Sequence, residues 1–325
     1  MSITIRKYNK ADFDDWENFV KTSSNGTIFH LRTFLSYHID RNFNDNSLIF
    51  EKNGKIIAVF PAAKNGIDES ILYSHPGASF GGFVFNNISF QESNLILNNL
   101  DNYCKDNNFS KVFFVYTPNI YFHQFNETLE YSLLWNNYKV KEVYLSSIIE
   151  IKNNFSPLDY LNSRKKRYIK NYLNNNLLKI KWNNDFDEFY PILLENKRRH
   201  GIKPTHSLDE LKKINLLYPS SLHLLLLYHD EVVVGGTLNI IINNKCVMMF
   251  YNMINYNYID LQPATIQIYE SIKWVAEKKM QYLDLGVSQK PKDKNPLTPH
   301  ETLINFKEQL GAKSIIRKAF QKNII

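Results

Sequence analysis

The chain has 325 residues, enough for two ordinary domains, and its 44% hydrophobic against 22% charged residues mark a folded globular protein rather than a disordered one. No stretch approaches the roughly 18 consecutive apolar residues of a membrane span, and Met1–Lys7 runs straight into an alternating strand pattern, so no signal peptide is expected. The formal charge of +7 favours an anionic partner, and the isolated Cys104 and Cys246 read as free thiols of a reducing compartment, so the cytoplasm is expected. In chain order, the periodicity predicts a strand over 3–6, helices over 11–22 and 33–41, and strands over 47–52, 55–63 and 70–74. A long helix over 90–107, a strand over 111–116 and closing pieces over 129–151 follow.

Residues 178–325 repeat that order. Strand 178–182 precedes helices 186–200 and 207–217, then strands 222–228, 232–242 and 246–251. Helix 263–279, strand 282–285, helix 301–310 and strand 314–320 complete the copy. Lys52-Asn53-Gly54-Lys55 matches His229-Asp230-Glu231-Val232 in pattern, as Phe113–Tyr116 matches Tyr282–Leu285. Between the copies lies a basic, Asn-rich helical segment over 157–176. The expected division is therefore 1–152, a linking helix over 153–177, and 178–325, in the α+β class.

Much of the positive charge sits in Arg164-Lys165-Lys166-Arg167-Tyr168-Ile169-Lys170 and Lys197-Arg198-Arg199. No nucleic-acid-binding motif accompanies it, which favours small phosphorylated ligands over polynucleotides. Arg164 and Arg167 share one helical face, and two guanidiniums there suit a diphosphate, although a solvated basic helix has the same pattern. The nine residues from Ser74 to Gly82 hold two serines, a histidine, a proline and three glycines on one bend. No Gly-x-Ser-x-Gly elbow supports a serine nucleophile. His200 and His206, or His223 and His229, lack metal-ligand spacing, so no metal is expected.

The order of strands and helices in each copy is that of the GNAT acyltransferase unit. Two such units with a basic helix between them resemble the Fem-like branch of that superfamily over essentially the whole chain. The residues that carry the resemblance are Gly26–His30, Ser74–Gly82, Leu161–Arg167, Gly235-Gly236-Thr237, Asp284-Leu285-Gly286 and Asn305–Glu308. It is closest to the shorter nucleotide-sugar N-acyltransferases, because no long charged helical hairpin interrupts the second copy. The resemblance implies two mixed-sheet units, an acyl-coenzyme A co-substrate in the second, and an acceptor between the two.

Direct attack of an amine on a thioester needs a base, an oxyanion donor and a seat for the coenzyme, but neither nucleophile nor metal. His75 is the first choice of base, then His206, then Asp284. The acceptor is expected to meet His30, Ser74, Ser79, Phe80, Arg164, Arg167, Lys203, Tyr251 and Asn252. The coenzyme's pyrophosphate is expected at Gln262, Ala264 and Thr265, where Pro263 opens a helix. The usual glycine-rich pyrophosphate signature is missing there, as is a tyrosine acid in the last helix. The reading is N-acylation of a nucleotide-linked amino sugar, a dTDP-3-amino-3,6-dideoxyhexose, for surface polysaccharide such as O-antigen. The alternatives are an aminoacyl-tRNA-dependent transferase acting on a peptidoglycan precursor, and a non-catalytic glycan- or nucleotide-binding protein.

Overall fold

The structure, a computed structural model, describes residues 2–152, 154, 156–290 and 293–324. Its first unit comprises Met1–Tyr144 with Ile316–Ile325, and its second Leu145–Ile315. These bounds differ from the expected 152/153 and 177/178 because a strand's pairing partners, not its neighbours in sequence, decide where it packs.

The first unit opens with β1 (Thr4–Lys7), α1 (Phe13–Thr22), α2 (Arg32–Leu35), β2 (Leu48–Lys52) and β3 (Lys55–Phe60). It continues through β4 (Ala63–Lys64), β5 (Ile71–Ser74), β6 (Val84–Phe85), α3 (Phe90–Asp106), β7 (Lys111–Val115) and α4 (Thr128–Trp135). An antiparallel sheet runs in the order β1-β2-β3-β6. Beside it β5 pairs in parallel with β7, and residues Ala319–Asn323 of β14 (Lys313–Asn323) pair antiparallel with Val115–Lys111.

α3 starts on a capping box, Ser89 with Glu92, and buries Ile96, Leu97, Leu100 and Cys104 along one stripe. Edge-to-face rings of Phe60, Phe83 and Phe114 fill the core beneath it. The helix expected over 33–41 is a single turn. Phe34, Leu35 and Tyr37 are all buried, which one apolar stripe of a surface helix does not achieve.

β8 (Lys139–Glu150) carries the chain into the second unit. There follow α5 (Ser163–Asn175), β9 (Leu178–Trp182), α6 (Phe186–Arg199), α7 (Leu208–Leu217), β10 (Leu222–His229) and β11 (Val232–Ile241). The unit ends with β12 (Cys246–Ile254), α8 (Pro263–Glu277), β13 (Tyr282–Val287) and α9 (Glu301–Glu308). Its strands are ordered β8-β13-β12-β11-β10-β9, antiparallel except for the β12–β13 pair that α8 bridges.

α8 is buried on nearly every side, its polar Gln267, Glu270 and Ser271 included, with α5 tied across it through Tyr172 and Glu270 at 3.2 Å. The linker expected as one helix is a 3-10 turn (Pro157–Tyr160) followed by α5, whose N-cap Asn162 accepts from the Lys165 N–H at 2.9 Å. The sequence-level expectation of an α+β fold with two repeated units holds.

Candidate functional site

β12 and β13 pair only at Cys246–Tyr282, Val247–Leu283 and Met248–Asp284. Beyond that point they part, and β12 runs on to Ile254 while β13 runs on to Val287. A cavity of about 430 Å³ fills the opening, with Met249, Phe250, Asn252, Leu285 and Val287 on its strand walls. Ala264 and Ile268 of α8, Leu303, Phe306 and Lys307 of α9, and Asn196, Lys197 and His200 near the end of α6 complete the lining. No carboxylate among the described residues lines it. Splaying removes the β13 ladder partner from β12 beyond Met248; the Ile254 N–H donates instead to Asn196 Oδ1 at 3.3 Å, and an N–H left without a ladder partner on that edge can meet a developing oxyanion.

A bulge decides which side chains face that space. Leu238 pairs with Tyr251 but Asn239 pairs with Met249, so Phe250 is an extra residue in β12. The insertion reverses the alternation. Met249 packs in the α8-side core, Asn252 bonds to Gln267 of α8, and Tyr251 turns to Phe189 of α6. Tyr251 is buried there with its hydroxyl 2.9 Å from Nδ1 of His206, and burial raises its pKa. Neither Tyr251 nor His206 lines the cavity.

The remaining expected residues of this unit are spread out. Asp284 is fully buried, its Oδ1 accepting from the Ser146 hydroxyl at 2.9 Å and from the Gly286 N–H at 2.7 Å. It shapes the left-handed turn at Gly286 (φ 76°). Asn252 and Ala264 do reach the cavity, whereas Lys203 is exposed on the loop before α7. Arg164 and Arg167 flank Tyr168 on the exposed side of α5, with Arg164 Nε donating to the phenol at 3.0 Å.

The start of α8 offers few donors to a pyrophosphate. Pro263 has no N–H, and those of Thr265 and Ile266 both donate to the Gln262 carbonyl. The Ala264 N–H remains, among the described residues. Lys165, nearly buried, stands behind this turn with Nζ 3.1 Å from Thr265 Oγ1 and 4.6 Å from the Phe306 ring centroid. Burial lowers its pKa, and Arg164 adds to the effect.

In the first unit the Ser74–Gly82 segment is closed on itself. The Ser74 hydroxyl donates to the Pro61 carbonyl and accepts from the Gly82 N–H at 2.9 Å, so it is engaged on both sides. The Ser74–His75 peptide is cis. His75 is buried, and its Nδ1 accepts from the Gly77 N–H at 3.1 Å. A neutral ring then carries its proton on Nε2 and has no second lone pair to offer a substrate. Burial first, and Arg32 second, push its pKa down to about 3. His30, fully buried between Thr27 and Thr117, is pushed down by burial to about 4. Phe80 lies in the core against Phe29, Tyr121 and Arg317, and Ser79 is half-buried at the loop's edge.

The residues that sequence reasoning passed over are Lys165, Lys197, His200 and Lys307. Lys307 is buried, its ammonium donating to the carbonyls of Gly286 (2.8 Å) and Val287 (3.2 Å) and to the Ser288 hydroxyl (2.8 Å). Burial lowers the pKa of Lys197. The available signal was the apolar stretch around each cation, such as Asn305-Phe306-Lys307, where a charge interrupts a helix's inner face.

Comparison with known proteins fits this geometry. Residues 165–294 match a family model described as an acetyltransferase (GNAT) domain. No curated protein sequence matches the chain. Among solved structures it is similar to FemX, at 13% identity over 98% of this chain and 97% of that one, with a TM-score of 0.72. It is also similar to a tandem GNAT protein from the clavulanic acid biosynthesis pathway (8% identity, 100% and 98% covered, TM-score 0.56). The third is L-PGS from Bacillus licheniformis (13%, 98% and 92%, TM-score 0.58). At such identities the likeness is one of fold, two tandem GNAT-like units with mixed sheets. The matched domain makes the chain an acyltransferase and implies acyl-coenzyme A as co-substrate. No helix among the described residues is long and apolar enough to cross a membrane.

Proposed function

We propose that the protein is a cytoplasmic N-acyltransferase that moves an acyl group from acyl-coenzyme A to the amino group of a nucleotide-linked amino sugar, a dTDP-3-amino-3,6-dideoxyhexose, for surface polysaccharide. The observation that carries the transfer chemistry is the cavity between the parted ends of β12 and β13. A thioester laid along β12 has its carbonyl within reach of unpaired main-chain N–H groups, and the amine attacks its carbonyl carbon.

In this reading the oxyanion is held by those N–H groups, with the nearby positive charge of Lys307 favouring it. His200, on the cavity wall, takes the proton the amine loses, and the departing coenzyme thiolate is protonated in turn. His75, His206 and Asp284, the bases expected from sequence, each have ring or carboxylate atoms engaged in buried hydrogen bonds. The paired guanidiniums of Arg164 and Arg167 suit the acceptor's diphosphate.

The test is release of free coenzyme A thiol on mixing acyl-coenzyme A with dTDP-amino sugars. Transfer to the sugar amine, read as a mass increase of one acyl group, is the expected result. No release over a broad panel of acyl donors and amino sugars would overturn it.

A second reading has a specific observation behind it. The start of α8 supplies one main-chain N–H, from Ala264, where a coenzyme pyrophosphate calls for several. An aminoacyl-tRNA donor, acting on a peptidoglycan precursor, would not need that seat. Protection of charged tRNA from hydrolysis on mixing would favour it.

A further inference from the structure

We propose that α5 and the small cavity beside the first turn of α8 form a nucleoside-phosphate site, with the base stacked on Tyr168 and the phosphates held by Arg164 and Arg167. The inference rests on the nucleotide character of the substrates proposed above. It adds a place for the base and separates it from the reacting end.

The first observation is a broken local rule. Arg164, Lys165 and Lys166 follow Ser163 in the first turn of α5, which holds no acidic residue, and Arg167 opens the second. Cations at a helix N-terminus oppose the helix dipole and repel one another. None of Arg164, Lys166, Arg167 and Lys170 forms an ion pair among the described residues. Such an arrangement is stabilised by an anion supplied from outside.

The second observation is the ring at its centre. Tyr168 is half-exposed, with both guanidinium carbons 5.8 Å from its centroid and the Lys165 ammonium at 5.6 Å. Arg164 spends its Nε on the phenol, which leaves its two terminal nitrogens to grip a phosphate. A flat aromatic face beside phosphate-binding forks is what a nucleotide needs for stacking and charge together.

The third is the cavity itself. About 70 Å³ lies against Tyr168, Tyr172, Asn171, Asn175 and Gln262, over an apolar floor that includes Ile266. That space admits the edge of a base, which the carboxamides can read with the groups left after Asn175 bonds to Asn171 and Gln262 Nε2 donates to the Ile259 carbonyl at 3.4 Å; Asp260 also lines it. Gln262 lines this cavity while Ala264, two residues on, lines the large one. The first turn of α8 thus stands between the nucleotide and the acyl group. With so few N–H groups free at that turn, the phosphates find their partners on α5 instead.

Calorimetry with adenosine 3',5'-bisphosphate and thymidine 5'-diphosphate tests this, with pyrophosphate as the probe that lacks a base. At least one nucleotide should bind about tenfold more tightly than pyrophosphate, the worth of one stacked base. The arm that binds tells whether the coenzyme or the acceptor supplies the nucleotide. Tyr168→Ala should remove that advantage, and Tyr168→Phe should keep it. The double variant Arg164→Ala/Arg167→Ala should weaken nucleotides and pyrophosphate alike. Equal binding of all three probes, or an unaffected Tyr168→Ala, overturns the proposal, as does a short RNA that binds far more tightly than either mononucleotide. Binding needs no acyl transfer, so failure here and failure of the proposed reaction read out separately.

Discussion

Lys165 donates from its ammonium to the Thr265 hydroxyl at 3.1 Å, joining the basic helix α5 to the first turn of α8. This is a buried charge with a neutral partner, an arrangement that costs desolvation and gains one hydrogen bond. Lys165→Met keeps the packing on Phe306 and removes the charge. The variant should be as stable as the wild type or up to about 1 kcal/mol more so at neutral pH, yet bind acyl-coenzyme A several-fold more weakly.

The sign with pH follows from the lowered pKa. Between the folded value and 10.5 the unfolded chain binds more protons than the folded one, so wild-type stability rises with pH in that window. Lys165→Met should lose its share of that rise. Urea titrations across the alkaline range, with calorimetry for the coenzyme, check both outcomes.

Tyr251→Phe separates the two faces of β12. The hydroxyl pairs with His206 on the α6 side, away from the cavity. Its loss should lower stability by about 1 kcal/mol, the net worth of one buried hydrogen bond, and change transfer rates less than about threefold. A loss of activity of about a hundredfold, with stability intact, would put the phenol in the chemistry after all.

Two buried imidazoles give the first unit an acid limit. His75 and His30 have folded values near 3 and 4, below the unfolded 6.5. Well above pH 6.5 both rings are neutral in either state, and their contribution to stability no longer changes with pH. Below it the unfolded chain takes up protons that the folded one refuses, so stability falls until the folded values are reached. On the order of 3 kcal/mol per ring is lost between pH 6.5 and pH 4. Denaturant midpoints over that range should show the decline, and His75→Asn should flatten part of it.

Gly81 has no room for a methyl group. A Cβ there would stand 2.8 Å from the carbonyl carbon and oxygen of Ser74 and from the His75 nitrogen, all main chain. Gly81→Ala should cost about 2–4 kcal/mol, while Gly66→Ala, with nothing within 4 Å, should be neutral or slightly stabilising. Thermal melts of the pair give the comparison.

Element order was legible in the sequence because strand and helix periods differ, and strands such as Leu178–Trp182 were read to the residue. The site was far less so. The bulge at Phe250 leaves no mark in composition, yet it decides that Asn252 reaches the cavity and Tyr251 does not. The glycine-rich Ser74–Gly82 bend drew attention through residue types that suit catalysis. In the fold those hydroxyl and imidazole groups are consumed by main-chain partners. Conversely, Lys307 and Lys165 read as ordinary surface cations until packing buries them.

The antiparallel pairing of Ala319–Asn323 with Val115–Lys111 bears on how the molecule comes into being. During synthesis from the N-terminus, β7 emerges long before its neighbour is made. Its edge stays open, able to pair with a foreign strand, through the whole production of the second unit. An isolated fragment over 1–152 would carry that defect permanently and should aggregate. Supplying residues 313–325 as a separate peptide would be the direct remedy.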